Sequence, residues 1–195
     1  MTLQPSHSLS TAPSEWVRRH AALLAPGARV LDLACGTGRH ARLLRDLGHR
    51  VIAVDRDAQA LATLEGEAGI ETLCADLESA PWPFPPRSFD AVVVTNYLHR
   101  PLFDSLREAL RAGGVLIYET FALGNERDGR PGNPAFLLRR NELLTLVGAL
   151  QVVAFEQGVI HLPKTAVVQR ICAVLTQEPV DLPGGLPVAA RGALG

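Results

Sequence analysis

Residues Val30 to His40 read VLDLACGTGRH, and how this stretch is taken decides the fold. The run ARVLDLA, 28–34, is short, apolar and bounded by glycines, as a strand buried on both faces should be. GRHARLLRDLGH follows, with Leu43, Leu44 and Leu47 at helical spacing and Gly48 as a stop. Gly36 to Ala41, GTGRHA, fits the G-x-G-x-x-G/A turn that brings backbone amides and a helix N-terminus to a pyrophosphate. Asp32 sits uneasily with that, because a carboxylate at the mouth of the strand repels a diphosphate in a low-dielectric crevice. It suits a ligand with a positive centre.

Outward from this stretch, strand and helix signals alternate. Ser14 caps a helix over SEWVRRHAALL, which Pro26-Gly27 stops. VIAVD and IETLCAD read as the second and third strands, with a helix over DAQALATLEGEAG between them. ESAPWPFPPRSF, with four prolines, is an irregular surface connection. DAVVVTN is a fourth strand, PLFDSLREALRAGG a helix ended by its glycine pair, and GVLIYET a fifth strand. NELLTLVGAL is the last helix. QVVAFEQGVI and AVVQRICAVL, joined by HLPKT, pair as an antiparallel hairpin. The expected class is α/β: a Rossmann-like three-layer sandwich with a seven-stranded, mostly parallel sheet and a C-terminal antiparallel hairpin. Ligands of such sheets sit at the C-terminal strand ends.

The 195 residues, 47% hydrophobic, suit one domain, expected over 14–176 between flexible ends at 1–13 and 177–195. Lys and Arg number 19 against 20 Asp and Glu, so no global basic field exists to hold a nucleic-acid backbone. The three cysteines form no ligand cluster, so neither a disulfide framework nor a metal site is expected; Cys35 and Cys74 read as small buried residues. The N-terminus has no secretory pattern, and no apolar run approaches the ~20 residues of a membrane span, which points to the cytoplasm.

Four segments carry a resemblance. VLDLACGTGRH resembles the first motif of class I S-adenosylmethionine-dependent methyltransferases, VIAVDRD their ribose-binding second strand end, CADLE their adenine-binding third strand end, and RAGGVLIYET their fifth strand. FDAVVVTNYLHRPLF is loosely similar to the small tellurite-resistance-type and thiopurine-type members. The resemblance implies S-adenosylmethionine as cofactor, with Ala34, Gly36 and Gly38 against its methionine portion and Asp32 placing its ammonium. It further implies Asp55, with Arg56 beside it, on the ribose hydroxyls, Asp76 and Leu77 at the adenine, and Asn96 near the methyl group.

Tyr97, His99 and Glu119 are the candidates for orienting or deprotonating the acceptor. Tyr118 and Glu119 alternate, so one of the two faces the pocket. His40 reads as a packing or capping residue. The segment Phe121 to Leu138 leaves the ligand edge and is long for a strand-to-helix connection, as a lid would be. Its Arg127 and Arg130, with Arg139 just beyond, suit an oxyanion on a small-molecule acceptor, or phosphate if the acceptor is RNA. An NAD(P)-binding oxidoreductase is the other class the glycine turn allows. The fourth strand ends in Thr95-Asn96-Tyr97-Leu98, without the paired prolines common to enzymes that methylate base amines, which disfavours that chemistry.

Overall fold

The computed structural model describes residues 12–127 and 129–182; the expected flexible ends fall largely outside them. Seven strands form one sheet in the order β3-β2-β1-β4-β5-β7-β6. They are β1 (Arg29–Leu33), β2 (Arg50–Asp55), β3 (Ile70–Cys74), β4 (Phe89–Thr95), β5 (Leu110–Phe121), β6 (Gln151–Ile160) and β7 (Ala166–Val174). The first five pair in parallel, and β7 runs antiparallel to both β5 and β6.

The helices are α1 (Glu15–His20), α2 (Arg39–Asp46), α3 (Ala58–Ala62), α4 (Phe103–Ala109) and α5 (Glu142–Leu146). Alternation along the strands divides the core. Leu31, Leu33, Val54, Val92 and Leu116 pack with Phe103 and Leu106 of α4 and Leu143 of α5. Val30, Ala53, Val93 and Ile117 pack with Trp16 and Val17 of α1, Ala41 and Leu44 of α2, and Leu61 of α3. Helices thus cover both faces, which is why the central strands carry apolar residues on both faces rather than alternating. No helix among the described residues is long and apolar enough to cross a membrane.

Three helices are shorter than their sequence pattern, each for a local reason. The expected helix 57–69 ends at Ala62, with Gly66 and Gly69 at positive φ beyond it. The helix expected over 141–150 ends at Leu146, with Gly148 at φ 60°. The helix expected through the glycine pair 113–114 stops at Ala109, because the buried Leu110 pairs with Phe89 and opens β5. The glycines instead allow a register shift in β5; a Cβ on Gly114 would lie 2.8 Å from the Arg111 carbonyl oxygen. In the proline-rich connection, Trp82 and Phe84 pack edge-on, and Phe84 packs in turn on Phe89 at 5.0 Å between ring centres.

Candidate cofactor and acceptor site

The C-terminal strand ends open onto a cavity of about 370 Å³. After β1 the chain turns sharply: Ala34, Gly36 and Gly38 adopt φ of 53°, 55° and 78°. Gly38 is required twice, since a Cβ there would also lie 2.5 Å from the methyl carbons of Leu64. A Cβ on Gly36 would meet open space, but the Gly36 amide is taken by Asp55, and neither Gly36 nor Gly38 lines the cavity.

Asp55, at the end of β2, holds this turn. Its Oδ2 accepts from the Gly36 amide at 2.8 Å and its Oδ1 from the Asp57 amide at 2.9 Å. Each carboxylate oxygen retains a further lone pair, so the fixed group can still accept from a diol. Asp76, after β3, accepts from the Glu78 amide and the Ser79 hydroxyl, both at 3.0 Å. The Glu78 amide first, and then the Ser79 hydroxyl, hold its carboxyl below the usual range. Asp55, Arg56, Asp76, Leu77, Asn96 and Tyr97 all line the cavity, as does Ala34.

Asp32 differs from both. It lies within β1 on the α2 face, 1% exposed, and neither oxygen has a hydrogen-bond partner among the described residues. The Ala41 amide and the Arg39 guanidinium lie in its field without meeting it in good geometry, and burial pushes its carboxyl up to about 7. An unpaired carboxylate in such a place is costly unless a cation comes to it.

Residues 30–114 match the family model for a methyltransferase domain. That stretch runs from β1 into β5 and takes in the glycine turn, Asp55 and Asp76, so the likeness to a methyltransferase domain falls on the cofactor half of the site. Among solved structures, TehB from Haemophilus influenzae superposes with a TM-score of 0.72 at 21% identity, covering 85% of this chain and 63% of that one, a likeness of fold. Malonyl-[acyl-carrier protein] O-methyltransferase of Serratia marcescens is 33% identical over 104 residues, 51% of this chain and 41% of that protein. Ubiquinone biosynthesis O-methyltransferase of Xanthomonas campestris pv. campestris is 31% identical over 127 residues, 60% of this chain and 52% of that protein. The chain thus spans about half the length of the curated relatives it matches.

Two of the three acceptor-side candidates stand away from the cavity. His99 does not line it; its carbonyl begins the short turn before α4. Glu119 faces the α1 and α2 layer, where its Oε1 accepts from the Ser14 hydroxyl at 2.9 Å and its Oε2 from Arg170 at 3.3 Å. The strand face bearing Tyr118 and Thr120 is the one turned to the cavity, and Thr120 lines it. Tyr118 donates its hydroxyl to the Tyr97 carbonyl at 2.7 Å, fixing the turn after β4. Burial, and then the neighbouring Glu78 carboxylate, push the Tyr97 hydroxyl up, so it keeps its proton.

His40 is buried, as a packing residue should be, and more closely held than expected. The Ser14 amide donates to Nε2 at 3.1 Å, so the proton sits on Nδ1 and faces the Thr95 hydroxyl at 3.2 Å. Burial first, and then Arg39, push its pKa down to about 3. Cys35 is buried as expected, but Cys74 is exposed, because β3 is an edge strand.

The segment 121–138 reaches back over the cavity with Pro131 and Phe136, while Arg127, Arg130 and Arg139 are exposed and line none of it. Its two ends meet: the Leu123 amide donates to the Leu138 carbonyl at 2.9 Å, and the Leu138 amide to the Phe121 carbonyl at 3.0 Å. Arg100, which the sequence pattern did not single out, clamps its far end. The guanidinium donates to the Ala135 carbonyl at 2.8 Å, the Leu137 carbonyl at 2.9 Å, and both oxygens of Glu142 at 2.7 and 2.9 Å.

Proposed function

We propose that this domain transfers a methyl group from S-adenosylmethionine to a small-molecule acceptor. The observation that carries the reading is the orphaned carboxylate of Asp32 beneath the glycine turn. An ammonium suits that group and a diphosphate does not. The remaining donors and acceptors fit the same cofactor. Asp55 would take the ribose hydroxyls, with Arg56 alongside; Asp76 and Leu77 would take the adenine; Ala34, Gly36, Gly38 and Asn96 would border the methionine and methyl end.

When bound, the cofactor supplies a methyl group on a sulfonium, open to in-line displacement. The protein's own contribution is positioning, which is worth several kcal/mol for well-aligned reactants. Tyr97, Thr120, Pro131 and Phe136 form the wall against which an acceptor would lie, a mostly apolar surface with two hydroxyls. A protonated Tyr97 orients a nucleophile by donating to it and does not deprotonate it. On this reading His99 and Glu119, which line none of the cavity, take no part in the transfer, and the acceptor brings a nucleophile that is reactive at the working pH.

A transfer assay with methyl-labelled cofactor against a small-metabolite extract and, separately, total RNA tests this. Label is expected in the metabolite fraction. Label only in RNA would overturn the small acceptor. Binding of NAD(H) with no binding of S-adenosylhomocysteine by calorimetry would overturn the cofactor.

A further inference from the structure

The cavity divides by charge. Among the described residues lining it, three acids and one arginine, Asp55, Asp76, Glu78 and Arg56, stand at or just after the ends of β2 and β3. The opposite wall, Tyr97, Leu98, Thr120, Pro131 and Phe136, carries no charge at all. Arginines lie close to that wall without joining it. Arg100 directs its donors to the Ala135 and Leu137 carbonyls and to both oxygens of Glu142, while Arg127, Arg130 and Arg139 are exposed and line no part of the cavity. A carboxylate or phosphate seated here would lose its hydration, face the acids across the cavity and find no counter-charge on its own side.

Within the wall, Phe136 stands out. It is 48% exposed, whereas the next residues, Leu137 and Leu138, are buried. Its backbone is nevertheless held from both sides. The Asn133 side chain accepts from the Ala135 amide and the Asn133 carbonyl from the Phe136 amide, both at 3.0 Å, and Arg100 takes the carbonyls of residues 135 and 137. An apolar ring fixed at the edge of a cavity and left half in water gains by burial against a bound molecule of its own character. The wall also limits the nucleophile. With Tyr97 protonated and no histidine lining the cavity, the acceptor's proton has to be one that water removes near neutrality, as from a phenol-like hydroxyl or a thiol, and an alkylammonium would arrive charged.

We propose that Phe136 selects the acceptor, and that the molecule it selects is apolar, with a weakly acidic hydroxyl or thiol as its sole ionisable group. The proposal rests on the function proposed above. In the transfer the acceptor's electron pair forms the new bond to the methyl carbon, the sulfur keeps the pair of the bond that breaks, and the acceptor's proton leaves to water. The methylated product is uncharged.

That charge can be read without knowing the acceptor. Methyl-labelled S-adenosylmethionine is incubated with the protein and a small-metabolite extract, and the labelled product is passed at neutral pH over an anion and a cation exchanger. Label is expected to pass both and to partition into ethyl acetate; label retained on either exchanger overturns the uncharged class. Phe136→Ala should slow labelling at limiting extract about tenfold, the worth of one buried ring, and Phe136→Arg at least as much, with S-adenosylhomocysteine affinity unchanged in both. Wild-type labelling by both variants, or a loss of S-adenosylhomocysteine affinity in both, overturns the role of Phe136. Arg130→Ala should label at the wild-type rate, and a loss there would give the acceptor a cation and overturn the uncharged class. A wild type that binds S-adenosylhomocysteine but labels nothing in the extract takes the small-acceptor reading down and this proposal with it, whereas a charged product removes the proposal alone.

Discussion

At the ends of β2 and β3, Asp55 and Asp76 have every carboxylate oxygen engaged by a donor from their own chain, whereas one strand over, on β1, Asp32 has none. The first two lie partly open to water and are oriented by nearby backbone, so their geometry stands before any ligand arrives. Asp32 is buried against α2, where an ionised carboxylate is destabilising until a cation reaches it. One side of the site is therefore built to orient a ligand and the other to be relieved by it.

Removing the scaffolding side should hurt most. Asp55→Ala strips the acceptor from the Gly36 and Asp57 amides and, on the function proposed above, from the ribose, and charged hydrogen bonds are worth ~1.5–3 kcal/mol each, so affinity for S-adenosylhomocysteine should fall on the order of a hundredfold or more. Titration calorimetry showing less than about a tenfold loss would mean the turn keeps its shape without Asp55.

Asp32→Asn should cost about tenfold in affinity, one charged contact, yet leave the protein at least as stable at pH 8. The sign follows from linkage. With its carboxyl raised from 3.8 to about 7, folded Asp32 holds a proton that the unfolded chain releases, so between these values stability falls as pH rises. His40, lowered from 6.5 to about 3, acts oppositely: the unfolded chain takes a proton the folded one refuses, so stability rises with pH across that window. Each slope is ~1.4 kcal/mol per pH unit, and over much of the range they offset one another. Denaturant midpoints of Asp32→Asn between pH 5 and 7 should therefore climb with pH more steeply than those of the wild type. Parallel curves would show that Asp32 is already ionised in the folded protein. In the wild type, ligand affinity should strengthen from pH 6 to 8 as Asp32 ionises, a trend the Asn variant should lack.

Smaller effects complete the order. Asp76→Asn keeps a carbonyl oxygen at the turn and should weaken binding by less than about fivefold, as an exposed charged contact does. His99→Ala, away from the cavity, should leave the ligand's dissociation constant unchanged; a measurable loss would return His99 to the site.

The succession of strands along the chain and the glycine turn were legible because buried parallel strands are short apolar runs cut by glycines, a pattern that local sequence carries. Asp55 and Asp76 were singled out as strand-end carboxylates by the family resemblance, while the Asp55 bond to the Gly36 amide reaches across 19 residues. What was not legible depended on distant partners. Alternation separated Tyr118 from Glu119, but the layer each faces is set by packing against α1, α2 and α4. Ser14 was visible as a helix cap, while its bond to Glu119 spans 105 residues. Arg100 gives no local signal of a clamp whose partners lie 35 to 42 residues on. Leu110 reads as helix until Phe89 pairs with it.

The clamp bears on how such a protein diversifies. The ends of the 123–138 excursion are stitched together at Leu123 and Leu138, the buried Asn125 accepts from the Val167 amide of β7 at 3.2 Å, and Arg100 pins the far side to Glu142, so the loop is anchored on both sides of the stretch that carries Pro131. Insertions, deletions and residue swaps between those stitches alter the acceptor wall without straining β5 or α5. Acceptor range is thereby a cassette property, free to drift or be recombined while the rest of the domain stays the same.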